Sequence, residues 1–192
     1  MLILASASPI RRQILENVGL EFEVVPANID ENAEKDLGKS LEMIAKSLAE
    51  AKAVAVSLDR PGDWVIGSDS VVGVDGALFN KPASREEAAE HLRKFSGKKM
   101  LLTSGVALAH DGEVDWSHFG RAELEVRDLS EEFIQSYLDS EWPDVGNTVG
   151  VFRIEGRGIQ LFETIAGGHF TILGMPLLPL LKRLRNKGLM QS

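Results

Sequence analysis

The sequence predicts an α/β fold: a mixed sheet flanked by helices, arranged as two lobes about a central cleft in a single domain over residues 1–192. Three observations lead there. Apolar β-type runs alternate with helix-type segments along the chain. Two β runs meet at Asp111-Gly112, a hairpin signature lying between αβ units. A chain of 192 residues, 44% of them hydrophobic, can bury a sizeable core, and no repeat, low-complexity tract or flexible linker divides it.

In chain order, a strand is expected at 2–5. It feeds a helix at 9–17 that opens with Ser8 able to cap and Pro9 at the first helical position, and stops at the glycine of Asn17-Val18-Gly19. "FEVVPANID" (22–30) reads as a strand running into a loop, and "SLEMIAKSLAEAKAVAVSL" (40–58) has the apolar spacing and alanine content of a long helix. "DWVIGSDSVVGVDG" (63–76) is a β run ending in an Asp-Gly turn, and 84–95 is a helix with the Ser84…Glu87 capping-box spacing. Residues 99–126 give the hairpin, Ser130 caps a helix over 131–139, 149–167 carry strands broken by glycines, and 175–188 close the chain as a helix with Pro176 near its start.

Composition narrows the function. A net charge of −8 argues against duplex nucleic acid, which needs a basic face, while leaving room for a small phosphorylated ligand in a local basic pocket. The absence of cysteine excludes disulfides and thiolate metal sites. No run resembles a signal peptide or a membrane-spanning helix, so the expectation is a cytoplasmic protein with no membrane partner.

The chemistry-bearing residues stand out by position. Arg11 and Arg12 lie in the first turn of a helix, where the dipole and free N–H groups favour negative charge. An anion such as phosphate would remove that conflict; so would pairing with some of the 29 acidic residues. Asp69 sits inside "VIGSDSVV", between apolar β segments where aspartate is depleted. It needs a cation, a metal or several donors; the plainer reading is an aspartate in a bulge at Gly67, satisfied by backbone N–H groups. Glu31 occupies a loop after a strand, a place for either a ligand-facing or a solvated carboxylate. Lys52 lies among apolar helix neighbours and reads equally as a snorkelling lysine. Lys81, before Pro82, is in a stiff loop and reads equally as simply exposed. Together these residues supply what phosphate gripping, a metal and a base require. His91, His110, His118 and His169 show no metal-ligand spacing, and the G-x-G of "EGRGI" (155–159) marks a turn.

Taken jointly, "LASASPIRRQIL", "IDE" (29–31), "LAEAKA" (48–53), "IGSDSVV" (66–72), "NKP" (80–82), "SGKKMLLTSGVAL" (96–108), "VGVFRIEGRGIQLFETIAG" (149–167) and "ILGMPLLPLL" (172–181) resemble, in order, the Maf family of nucleoside triphosphate pyrophosphatases. The resemblance implies a Maf/ITPase-like α/β fold of two lobes around a substrate cleft, a homodimer, and metal-dependent cleavage of a nucleoside triphosphate to monophosphate and pyrophosphate. It implies Asp69 as proton acceptor, Glu31 and Asp69 as ligands of Mg²⁺ or Mn²⁺, and Ser8, Arg11, Arg12, Lys52 and Lys81 as the triphosphate grip. It places Ile10, Ser70 and Glu155 where specificity is set. The family has also been linked to septum formation and cell-division arrest.

Two departures bear on specificity. Many members carry Asp-Lys-Ala-Gly where this chain has Asn147-Thr148-Val149-Gly150, so a lysine is missing; many have "YGIQG" where this chain reads "FRIEG", with Glu155. The second departure, with the downstream "GIQLFE", resembles the branch associated with 7-methyl-GTP. Two rivals to a pyrophosphatase are a non-catalytic nucleotide-binding regulator of septum formation and a general phosphatase. Asp69 opposes the first, since a pure binder has no need of a carboxylate facing a polyanion, and product analysis separates the second.

Overall fold

The computed structural model describes residues 1–31, 35 and 38–191. Among the described residues, β1 (Leu2–Leu4), β2 (Glu23–Val24), β3 (Trp64–Val74), β4 (Ala77–Phe79), β5 (Lys99–His110), β6 (Glu113–Val126) and β7 (Phe162–Gly167) form one mixed sheet. Its order is β2-β1-β3-β5-β6-β7, with β4 paired to β3. β1 runs parallel to β2 and β3, whereas β3–β4 and β6–β7 are antiparallel. The helices are α1 (Pro9–Asn17), α2 (Leu41–Asp59), α3 (Arg85–Phe95), α4 (Glu131–Glu141), α5 (His169–Ile172) and α6 (Leu177–Asn186). The expected mixed α/β architecture is therefore the one observed.

The chain divides into two compact units. The first comprises Met1–Ser70, Thr103–Gly120 and Gly168–Ser192; the second comprises Val71–Leu102 and Arg121–Gly167. In the first unit the two faces of the sheet bury different sets of residues. Leu2, Leu4, Ile66, Val106 and Leu108 pack with Ile14 and Leu15 of α1 and with Leu177, Leu180 and Leu184 of α6. Ile3, Ala5, Val65, Ala107 and Ala109 pack with Ala49, Ala53 and Val56 of α2. This is period-two alternation with both faces covered by helices. On the first of these faces, Arg183 and Lys187 at the end of α6 hold Asp115 of β6. Burial pushes the Asp115 carboxyl up, but hydrogen bonds from Lys187 and Arg183 outweigh it and leave it below the ordinary carboxylate range.

The approach of α2 to the sheet is set by small residues. Ala45, Ala49 and Ala53 recur every fourth position and so share one helix face. A Cβ on Gly67 of β3 would lie 2.1 Å from the Ala49 carbonyl oxygen, and one on Gly105 of β5 would lie 2.2 Å from that of Ala45. Only glycine at both strand positions lets the helix lie this close. Gly67 belongs to an unbroken strand, so it marks a close approach to α2 and not the bulge considered for Asp69.

In the second unit α3 packs on α4, with Arg93 donating to Glu131 at 2.6 Å. That ion pair, with Gln135, draws the Glu131 carboxyl down to about 2. His91 sits against Phe79 and Phe95, and burial lowers its pKa.

Ser40, Ser84 and Ser130 cap α2, α3 and α4 through their side chains, as the spacing predicts for Ser84 and Ser130. Asp75-Gly76 and Asp111-Gly112 turn with positive φ at both residues, the primed geometry that matches strand twist. Three expectations need correction. Ser8 occupies the N-cap position of α1 but its side chain makes no capping bond; its backbone N–H donates to Ser6 Oγ instead. The strand expected from residue 22 onward is only Glu23–Val24. The segment expected to carry strands over 149–167 contributes only β7, its earlier part being a turn and a 3₁₀ helix at Arg157–Leu161. Glycines at 150, 156 and 158 accept tight turns there, which the apolar residues alone do not reveal.

Candidate active site

β1 ends at Leu4, opposite Ile66, and Ala5 N–H makes the last bond to Ile66. β3 continues beyond that point, so Gly67–Ser70 stand past the carboxyl end of β1, where the chain turns into α1. Ligand crevices in α/β sheets open at such ends. Alternation along β3 sends Asp69 to the α2 face with Gly67, and Ser68 and Ser70 to the α1 face.

On the α2 face, Lys52 Nζ donates to Glu31 Oε1 at 2.6 Å and to Asp69 Oδ1 at 2.8 Å. The Lys52 and Asp69 side chains are each 11% exposed, against 37% for Glu31. Glu31 is also approached by Lys35, at 3.7 Å. Three residues picked separately from the sequence thus converge on one ammonium, and Lys52 is a partner of carboxylates, not a snorkelling chain. Asp69 is satisfied by a cation, and among the described residues no backbone N–H bonds its side chain.

On the α1 face, Arg11 is buried and has no carboxylate in direct contact among the described residues. Its Nε donates to the Gly174 carbonyl (2.9 Å), Nη1 to Ser6 Oγ (3.3 Å) and Nη2 to Ser70 Oγ (3.0 Å). Ser70 also bonds Ser104 at 2.8 Å, and Ser68 donates to Gly174 at 2.9 Å. Burial lowers the Arg11 pKa, while the charges of Asp69 and Glu31 raise it in opposition. The guanidinium is therefore a fixed positive charge within the field of the two carboxylates. Arg12 differs: it is 61% exposed at its side chain and pairs with Glu16 one turn on, at 2.7 Å. One arginine answers the helix dipole with a surface ion pair, and the other is anchored by carbonyl and hydroxyl oxygens.

Ile10 is half-buried against the α1-face core. In the second unit, Lys81 is exposed in the loop before α3 and Glu155 is exposed in a turn. Among the described residues, Glu155 pairs with neither neighbouring arginine. Arg153 is taken by Glu141 (3.0 Å) and Asp144 (3.2 Å), and Arg157 by Ser140.

Sequence reasoning missed Ser6, Ser104 and the Gly174 carbonyl, which position Arg11 and Ser70. A signal was present: Ser68, Ser70 and Ser104 interrupt otherwise apolar strand segments, Ser6 follows one, and buried hydroxyls demand partners. No group of three or more His, Asp or Glu able to hold a metal occurs among the described residues. Glu31 and Asp69 nevertheless share one cation, and as hard oxygen donors they suit Mg²⁺ or Mn²⁺. Such ions commonly take only one or two protein carboxylates and complete their shell with water and substrate phosphate. No helix among the described residues is long and apolar enough to cross a membrane.

The family model for Maf-like proteins matches residues 1–187. The chain is 46% identical over 191 residues to a protein of Rhizobium etli named 7-methyl-GTP pyrophosphatase, covering 97% of this chain and 96% of the relative. It is 46% identical over 191 residues to a Nitrobacter hamburgensis protein named nucleoside triphosphate pyrophosphatase, covering 98% and 95%. A Brucella suis protein named 7-methyl-GTP pyrophosphatase is 45% identical over 190 residues, covering 97% and 96%.

Proposed function

This chain belongs to the Maf-like family, and on that premise we propose that it hydrolyses a nucleoside triphosphate to the monophosphate and pyrophosphate, with Asp69 as proton acceptor. The observation that carries the reading is the Asp69 carboxylate itself. It is 8% exposed on a strand, past the end of β1, and held by an ammonium it shares with Glu31. A buried carboxylate kept beside a cation, with a fixed arginine nearby, suits the activation of water against a polyanion.

In the reaction the water oxygen bonds to the α-phosphorus, and the bond from that phosphorus to the oxygen leading to the β-phosphate breaks. Pyrophosphate leaves with the bond electrons. Asp69 takes the water proton, a contribution of about 10²–10⁴-fold for a positioned base. Lys52 fixes the orientation of Asp69 and Glu31. Arg11, Arg12, Ser8, Lys52 and Lys81 are assigned to the phosphates, and Glu31 with Asp69 to a divalent cation. When bound, that cation offsets phosphate charge. A homodimer and a nucleotide partner are parts of the same proposal.

The structure separates the two arginines in a way that can be measured. Arg11→Ala removes three hydrogen bonds at once, to the Gly174 carbonyl and to the Ser6 and Ser70 hydroxyls, so it is expected to lower both stability and kcat/KM. Arg12→Ala removes only an exposed pair worth roughly 0.3–0.5 kcal/mol, so its melting temperature should hold while KM rises. An Arg12→Ala enzyme with wild-type KM would remove Arg12 from the phosphate grip.

For the base we propose guanine, with 7-methylguanine included. Glu155 only accepts hydrogen bonds, and its two oxygens match the N1–H and N2–H₂ donors of guanine. N7-methylation adds positive charge that a carboxylate favours. An amide, which both donates and accepts, suits thymine or uracil instead. Ile10 supplies packing, not a cation–π contact. The test is kcat/KM for GTP, 7-methyl-GTP, dTTP and UTP, with products resolved, in wild type and Glu155→Gln. Guanine preference, lost in the variant, with pyrophosphate as co-product is expected. A wild-type preference for dTTP or UTP, or orthophosphate as product, would contradict the proposal.

A further inference from the structure

The turn that presents Glu155 is held in an unfavourable backbone state by contacts that the reaction does not use. Val151 has φ +55°, in the left-handed region that a β-branched residue rarely enters, and it is fully buried. Its carbonyl accepts the hydroxyl of buried Tyr137 at 3.0 Å. Three residues earlier, Thr148 Oγ1 donates to the Val145 carbonyl at 2.8 Å and accepts the Phe152 N–H at 3.1 Å. The next residue, Arg153, is clamped by Glu141, whose side chain is 7% exposed, and its backbone is backed by Gly158, where a Cβ would lie 2.5 Å from the Arg153 carbonyl. Relaxing Val151 to an ordinary φ would swing its carbonyl off Tyr137 and carry Phe152 away from Thr148.

We infer that Tyr137 and Thr148 are specificity-positioning residues, which hold the Val151–Arg153 segment in its strained form and thereby fix the turn that follows, with Glu155 on which base selection depends. The inference rests on the reading of Glu155 as the base-selecting carboxylate. Tyr137 is fully buried and the Thr148 hydroxyl is engaged by Val145 and Phe152, so their loss should change base preference without slowing hydrolysis in general. Tyr137 is also buried enough that its hydroxyl stays protonated: burial, with the nearby Glu141 charge, raises its pKa. The Tyr137 donor is therefore present at every working pH.

The test compares wild type, Tyr137→Phe, Thr148→Val, Thr148→Ser and Glu155→Gln for kcat and KM with GTP and dTTP. Removing one of these hydrogen bonds is expected to lower the GTP-to-dTTP ratio of kcat/KM by roughly 3- to 10-fold. The loss should appear in KM for GTP, with kcat for dTTP unchanged within about two-fold. Thr148→Ser, which keeps the hydroxyl, should retain the wild-type ratio. Should Tyr137→Phe fail to fold, the isosteric change at half-buried Thr148 decides alone. A shift in Glu155→Gln with a wild-type ratio in Thr148→Val would overturn the inference and leave the base assignment standing. No shift in Glu155→Gln would sink the base assignment itself, and this inference with it.

Discussion

Asp69→Asn is expected to lower kcat at least ~100-fold while the protein stays folded. Asparagine has nearly the same shape, and its amide oxygen can still accept the Lys52 hydrogen bond that Oδ1 accepts at 2.8 Å. The Lys52–Glu31 bond at 2.6 Å is untouched. The change thus removes the ability to take a proton and one negative charge, and with that charge part of the proposed hold on a divalent cation. Without divalent cation, binding of a non-hydrolysable triphosphate should be unchanged or tighter, because a polyanion meets less repulsion. Turnover near the wild-type rate, with the melting temperature preserved, would remove Asp69 as proton acceptor. Loss of folding in this variant would instead make the Lys52 contact structural.

Gly67→Ala is expected to damage both fold and activity although it adds a single methyl group. Its Cβ would lie 2.1 Å from the Ala49 carbonyl oxygen and 2.7 Å from the Ala53 nitrogen, both backbone atoms of α2. No rotamer relieves such a clash, so α2 must shift from the sheet. Overpacking of a core costs about 1–3 kcal/mol, and a backbone clash belongs at the upper end. At roughly 2–4 °C per kcal/mol for a chain of this size, the melting temperature should fall by about 5–10 °C. Lys52 sits between Ala49 and Ala53 in the same helix, so the shift also draws its ammonium off Asp69, two residues along β3. A fall in kcat should therefore accompany the fall in melting temperature, even under conditions where the variant is fully folded. Wild-type kcat in the folded variant would show that the Lys52–Asp69 contact does not depend on helix approach.

The elements easiest to read in advance were those with local signals. The Ser84 and Ser130 caps, Pro9 at the head of α1 and the two Asp-Gly turns act over a few residues, and each lies where the pattern places it. In the stretch from 149 to 161 the apolar residues mimic strand patterning, although no strand forms there. Its backbone is instead dictated by distant partners: Tyr137 on Val151, and Glu141 on Arg153. In the site, Asp69 and Arg11 were conspicuous as charges in the wrong local setting. Their resolution was not legible, because Lys52 comes from a helix 17 residues upstream of Asp69 and Gly174 lies 163 residues beyond Arg11. Local rules flag an anomaly; tertiary packing supplies its partner.

Hydrolysis in heavy-oxygen water, followed by mass spectrometry of both products, tests the central claim most directly. If Asp69 directs water to the α-phosphorus, one labelled oxygen enters the nucleoside monophosphate and none enters pyrophosphate. Label in pyrophosphate, or labelled orthophosphate as the product, would place the attack on another phosphorus and contradict the account.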